Sequence, residues 1–231
     1  MAQVTNLIRH ENWTRSGPVV SRLPEDEIEV LEDRAAVTVA DPAPLGLWAF
    51  ATGTWIIGTV IAGVFPTSAL TGSIPVLLIF AGIAQFIAGL FAFRRANVLA
   101  ATAFCSFGSF NVLSATLFSM QARGVLPTTG DPAVLQGFVL ESFAFIAFAL
   151  CMAALRTNAG LILTLLLLGI GYALAGIPQL ANSVGQGAYG VVGNIGGWFL
   201  VASAFFAYYT GMVLVVNSSW KRTVFPVGGE P

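Results

Sequence analysis

Residues 45 to 216 are apolar almost without interruption, and charged side chains enter only at a few short breaks. Nothing else in the chain limits its fold so sharply. A window of about 19 residues moved along this stretch stays at membrane-like hydropathy between the breaks. Only 9% of all residues are charged against 56% hydrophobic, whereas soluble domains carry about a quarter charged residues. The chain therefore reads as a multispanning membrane protein. The breaks fall at 66–72, at Arg94, Arg95 and Asn97, at 121–132 with Arg123 and Asp131, at 156–158, and at 182–187. They leave six spans, 45–65, 73–93, 97–120, 133–155, 160–181 and 189–216, each long enough as a helix to cross a hydrocarbon core of about 30 Å. The expected fold is an all-α membrane protein of six transmembrane helices. Residues 41–217 form its membrane domain, 1–40 an N-terminal tail and 218–231 a C-terminal tail.

Lys and Arg set the orientation. Arg94, Arg95, Arg156, Lys221 and Arg222 lie where even-numbered spans end, and the opposite side has only Arg123. Cytoplasmic loops carry the excess of positive charge, which places both termini in the cytoplasm and the protein in the cytoplasmic membrane. In the first tail Arg9, Arg15, Arg22 and Arg34 are mixed with Glu25, Asp26, Glu27, Glu29, Glu32 and Asp33, with little apolar periodicity. No apolar core segment follows a basic start, so no signal peptide is read here. Low hydrophobicity suits a mobile cytoplasmic tail; the alternative is a regulatory or subunit-contacting arm that uses the apolar patch 35–39. The single histidine, His10, lies in this tail, outside the membrane domain.

Cys105 and Cys151 fall inside separate spans, lack metal-ligand spacing and read as small packing residues. The chain has no Gly-rich phosphate loop, no Ser/His/Asp set and no paired carboxylates within the spans, which leaves general acid–base hydrolysis little to work with. No enzyme activity, metal, cofactor or nucleic-acid partner is expected.

The polar residues inside the spans are small and weakly polar. Ala81, Ala84, Gln85, Ala88 and Gly89 recur at spacings of three and four, so they share one helix face. Small residues at that spacing let helix backbones approach, and Gln85 is directed into the bundle, as a packing glutamine or as a pore lining. The third span carries Thr102, Cys105, Ser106, Ser109, Asn111, Ser114 and Thr116 among Phe104, Phe107, Phe110 and Phe118. Each such polar group needs a partner at membrane depth. A helix lining a narrow path and a helix bonded to its neighbours both satisfy that need. Ahead of the first span stands "DPAPLGLWAF", from Asp41 to Phe50. Pro44 is tolerated in a first helical turn, and Asp41 or the residues just after it can cap that turn. Free N–H groups near Leu45, Gly46 and Leu47 then form a positive helix end of the kind that attracts small anions. Gly46 removes a side chain that would hold a ligand off the backbone. A helix start with no ligand is the competing reading.

These residues carry a family resemblance. "DPAPLGLWAF" resembles the signature N-P-A-P-L-G-L of the acetate uptake transporter family, which includes the bacterial succinate–acetate permeases and the yeast acetate transporters. "AGIAQFIAG" (81–89), "TAFCSFGSF" (102–110) and "RTVFPVG" (222–228) extend the likeness in the same order, from Asp41 to the end of the chain. The resemblance implies a six-helix protomer in a homo-hexamer, each protomer with its own pathway for small carboxylates such as acetate and succinate, and a shape similar to acid-gated urea channels. It also implies an aromatic and aliphatic constriction, which falls on Phe50, Phe107 and Leu168. Two positions depart from the family pattern. Asp41 stands where the family has Asn, adding a negative charge at the presumed anion mouth. Phe107 stands where the family has Tyr, which makes the expected constriction wholly apolar and hard to hydrate.

Glu141 lies about two turns into the fourth span and is not part of the family pattern. An ionisable residue at that depth is a functional candidate by default, here a proton site; the competing reading puts it near the headgroups with Gln136 on the same side. The substrate-contact candidates are Asp41, Pro44, Leu45, Gly46, Leu47, Gln85 and Thr102. The expected activity is transport of acetate and succinate across the membrane, proton-coupled or by co-diffusion. A channel for a neutral solute such as urea is the alternative, and a non-transporting membrane scaffold is a third reading.

Overall fold

Asn97 and Asn158 show how a short break ends one helix and starts the next. Each turns its side-chain oxygen onto a main-chain N–H of the following first turn, Asn97 accepting from Ala100 at 3.0 Å and Asn158 from Leu161 at 2.9 Å. Such caps satisfy donors that the helix itself leaves open. The computed structural model describes residues 39–182 and 189–228. Among them lie six helices of membrane-crossing length and hydropathy: α1 (Ala43–Ile61), α2 (Thr67–Arg94), α3 (Val98–Ala122), α4 (Asp131–Ala154), α5 (Ala159–Leu180) and α6 (Gly190–Trp220). The described residues contain no strand. The N-terminal tail with His10, nearly all of the patch 35–39 and most of the 182–187 break lie outside the described residues. The chain divides into two units, 1–40 and 41–231, and all six helices belong to the second.

Three boundaries differ from the sequence expectation by four residues or more. α1 stops at Ile61 instead of reaching 65, and Gly63 just beyond it takes a positive φ of 79°. α2 starts before 73 because a 3-10 turn over Thr67–Ala69 leads straight into the helix. α6 runs past 216 to Trp220 and stops where Lys221 turns left-handed, at φ 51°. Beyond it the chain folds back. Asn217 accepts from the N–H groups of Val224 (2.8 Å) and Phe225 (3.1 Å) and donates to the Phe225 carbonyl at 2.9 Å. The Tyr209 hydroxyl donates to Pro226 at 2.8 Å. The carbonyls of Val227 and Gly228 then accept from Gly160 and Ala159, two donors that α5 leaves unused at its own start. The "RTVFPVG" segment is thus a strap that finishes the N-terminus of α5.

Sequential helices run antiparallel, and they meet at glycines. A Cβ on Gly197 of α6 would lie against the main chain of Ala62, just past α1, and one on Gly58 of α1 would stand 2.9 Å from the Cβ of Leu200. On the other flank of α6, a Cβ on Gly196 would stand 2.8 Å from the Ala175 nitrogen of α5. Gly137 and Gly169 bring α4 and α5 together against Leu180 and Phe148, and Gly82 and Gly89 bring α2 to Val112 and Cys105 of α3. Between helices in lipid, such close packing replaces the hydrophobic drive available in water. α3 and α4 are joined differently, through the rings of Phe107, Phe110 and Phe143. α2 also widens into a π-helical turn over Ile79–Ala84, a rare geometry that recurs near functional sites.

Candidate functional site

At the end of the bundle where α2, α4 and α6 begin, a cavity of about 680 Å³ opens among Thr67, Thr71, Gln121, Thr128, Thr129, Gln136, Gln179 and Tyr189. A smaller pocket of about 50 Å³ adjoins it, sharing Phe118, Gln136, Gln179 and Tyr189 and adding Ile57, Phe110, Ser114 and Leu140. Neither lining includes a charged side chain. Gln179 is buried, and the Nε2 of Gln136 is buried without a hydrogen-bond partner among the described residues. A buried unpaired amide N–H costs free energy until an acceptor reaches it. The vestibule therefore has donors ready for an oxygen-bearing solute.

Below Phe110 the cavity ends in rings. Phe110 stacks on Phe143 (centroids 4.6 Å apart) and on Tyr172 (5.2 Å). Phe107, one turn along α3, meets Phe50 of α1 at 5.5 Å, Phe143 of α4 at 6.0 Å and Tyr172 of α5 at 6.5 Å. Phe50, Phe107 and Leu168 are all buried, Leu168 completely. Leu168, Tyr172, Ala175 and Gln179 are buried positions spaced by three and four along α5, so one helix face runs from vestibule to plug. The three residues implied as a constriction thus belong to one core. The ring cluster around them also takes in Phe110, Phe143 and Tyr172, and Tyr172 adds a phenol beside the three apolar residues. The α5 spacing of Leu168, Tyr172, Ala175 and Gln179 was the sequence signal for this.

The other candidates are dispersed. Gln85 is fully buried and lines neither cavity. Its Oε1 accepts from the Nδ2 of Asn111 at 3.2 Å, and the same Nδ2 reaches the carbonyls of Phe107 (3.0 Å) and of Ala81 within the π-turn (3.2 Å). Gly53 of α1 closes this cluster, since a Cβ there would meet the Asn111 Oδ1 at 2.6 Å. The amides therefore clasp α2 to α3 immediately behind Phe107, while the Gln85 Nε2 stays unpaired among the described residues. Thr102, Ser109 and Thr116 are exposed on the outer side of α3, and of the polar set on that helix Asn111 and Ser114 are the buried members.

At the start of α1, Asp41 accepts from the Ala43 N–H at 3.0 Å, and the Gly46 N–H is spent on the Pro42 carbonyl at 3.0 Å. Pro44 has no N–H, so Leu45 supplies the remaining first-turn donor. A Cβ on Gly46 would collide with the Phe104 ring. The space that glycine opens is occupied by Phe104. Leu47 is buried and Leu45 exposed, and neither cavity reaches this segment. Glu141 packs against Gly176 at the α4–α5 seam, its Oε1 buried and unpaired among the described residues. The cavity-facing side of α4 carries Gln136, Val139 and Leu140 instead. Among the described residues no group of three His, Cys, Asp or Glu stands close enough to hold a metal ion.

A family model described as the GPR1/FUN34/yaaH family matches residues 28–228. The succinate-acetate/proton symporter SatP of Escherichia coli (strain K12) is 30% identical over 191 residues, 82% of this chain and 96% of that protein. Acetate permease A of Emericella nidulans is 28% identical over 202 residues, covering 83% of this chain and 67% of that protein. Among solved structures, the bacterial acetate channel SatP superposes with a TM-score of 0.73 at 28% identity, covering 83% of this chain and all of that one.

Proposed function

The chain belongs to the GPR1/FUN34/yaaH family, and from that premise we propose that it moves acetate, with succinate as a larger substrate, across the cytoplasmic membrane. The observation that carries this reading is the vestibule: glutamine and threonine side chains, without fixed charge, narrow onto a buried plug of rings. Amide donors can hold a carboxylate, and the absence of a fixed cation keeps the hold weak enough for release, as conduction requires. The names of the relatives, an acetate permease and a succinate-acetate/proton symporter, point to the same solutes. In this reading both termini are cytoplasmic, the vestibule is external, and six protomers assemble with one pathway each. The particle mass in mild detergent tests the assembly, and a lone protomer counts against it.

The rings must strip water from whatever passes, and an ionised carboxylate loses far more there than its acid. With carboxyl pKa values of about 4, the acid fraction grows as pH falls. Acetate uptake into proteoliposomes is therefore expected to rise from external pH 7 to pH 5 and to exceed urea uptake at both. A channel for a neutral solute such as urea is the second reading, favoured by the apolar rings; urea uptake above acetate uptake, indifferent to pH, would establish it in place of the first. Glu141 is the proposed proton site within that transport. Glu141→Gln is expected to keep acetate flux down its own gradient while losing the extra uptake driven by an inward proton gradient. An unchanged response to the gradient removes Glu141 from the coupling.

A further inference from the structure

We propose that Tyr172 is the residue that selects for carboxylates inside the constriction, donating its phenolic hydrogen to the solute as it passes the rings. The proposal rests on the transport reading above and assigns the step within it. Five rings from four helices meet below the inner pocket, those of Phe50, Phe107, Phe110, Phe143 and Tyr172. Four of them present carbon alone. Tyr172 has 3% of its surface exposed, and it stands between the floor of the pocket and the plug, 5.2 Å from Phe110 and 6.5 Å from Phe107.

A buried tyrosine hydroxyl usually finds a partner. The two other helix-borne tyrosines here do so, Tyr208 with the Thr52 hydroxyl at 2.9 Å and Tyr209 with the Pro226 carbonyl at 2.8 Å. Among the described residues no hydrogen bond reaches the hydroxyl of Tyr172, and its oxygen is not one of the sealed unpaired polar atoms, which are those of Gln85, Gln136 and Glu141. A packing role would be served as well by phenylalanine, and the neighbouring positions are phenylalanine. The register of α5 gives the hydroxyl a place in a sequence of contacts. Gln179 in the vestibule lies two turns above Tyr172 on the same face, Ala175 leaves the interval open, and Leu168 follows one turn below. A carboxylate leaving the amides above meets the phenol as its next donor. A phenol donates one hydrogen and accepts as well, so it can bond a carboxylate oxygen, while urea is served by either role and gains less from a donor at this point.

The test is uptake of labelled acetate and labelled urea by the full chain in proteoliposomes, with melting temperatures measured in parallel. Tyr172→Phe keeps the ring and removes the oxygen. It is expected to lower acetate uptake at pH 7 about tenfold, the equivalent of one hydrogen bond to a charged group, with a smaller loss at pH 5 and an unchanged melting temperature. Adding Phe107→Tyr, which returns a hydroxyl to the same ring cluster, is expected to restore acetate uptake. Wild-type acetate uptake by Tyr172→Phe overturns the proposal. So does a loss of uptake that tracks a lowered melting temperature and is not restored by Phe107→Tyr, because that outcome assigns Tyr172 to packing. If the unsubstituted chain carries urea in preference to acetate, the transport reading itself fails and takes this proposal with it; normal acetate uptake with an indifferent Tyr172→Phe overturns the proposal alone.

Discussion

Phe107→Ala is expected to open the pathway and to weaken the bundle at once. The Phe107 ring is 2% exposed and makes ring contacts with α1, α4 and α5, so its removal leaves a cavity where helices from both halves of the bundle meet. Truncating a buried phenylalanine costs about 3–5 kcal/mol in well-packed cores, and here no neighbouring backbone is free to collapse, because the glycine contacts hold the helices at fixed distances. The melting temperature should fall accordingly. On the proposed pathway the same cavity widens the route at the rings, so succinate uptake should rise relative to acetate. The two readouts separate the roles of the ring. A lower melting temperature with an unaltered acetate-to-succinate ratio would make Phe107 a packing residue and move the constriction elsewhere.

The six spans were legible because one signal, long apolar runs broken by Arg, Asn and Gly, decides them without reference to tertiary structure. Their ends were less so. Thr67 and Ser68 look like a break, yet at a helix start their polar groups are tolerated, and α2 begins with them. The proposed constriction was legible in part. Phe50, Phe107 and Leu168 came from a resemblance, and the structure packs them in one core. Phe143 sits on a helix far from Phe107 in sequence with no local pattern to link them; Tyr172 shares the Leu168 face of α5 by spacing, but nothing local brings that face to α3.

Gly46 and the hydroxyls of α3 show the opposite difficulty: a local pattern with two physical causes. A glycine near a helix N-terminus suits an approaching anion, but equally an approaching side chain, and here Phe104 fills the space. Ser and Thr at membrane depth suit a pore, but each can also bond back to the carbonyl one turn earlier. Thr116 does this to Val112 at 2.8 Å and Ser114 to Phe110 at 2.8 Å, so these hydroxyls need no water. The glutamines divide: Gln85, singled out in the sequence, lines neither cavity, whereas Gln136 and Gln179 line both. An amide cannot satisfy both its ends within its own turn, and Gln136 and Gln179 accordingly line the cavities.

A large structural effect is expected at Gly197, where α6 meets the end of α1, the helix that carries Phe50. α1 brings Phe50 to Phe107, and α1 is held from behind by α6, where a Cβ on Gly197 would meet the nitrogen and Cα of Ala62. Those are main-chain atoms, and they cannot rotate away as a side chain would. Gly58 faces the same seam, with Leu200 and the main chain of Val201 close by, so the seam has no slack on either side. Gly197→Val must push the end of α1 outward, and overpacking costs about 1–3 kcal/mol, occasionally more, with the clash here against main chain placing it at the upper end. The displacement also draws Phe50 away from Phe107, whose ring contact is 5.5 Å centroid to centroid. The variant should therefore show both a strongly lowered melting temperature and, in the fraction that inserts and folds, raised leak of succinate. Gly190→Ala is the control: it sits at the start of the same helix, where a Cβ meets nothing within 4 Å, but its φ of 65° favours glycine, so it strains the turn without touching the seam and should lower stability without raising leak. If Gly197→Val melts at the wild-type temperature with the wild-type acetate-to-succinate ratio, α1 and α6 are not in backbone contact, and the position of Phe50 has some other cause.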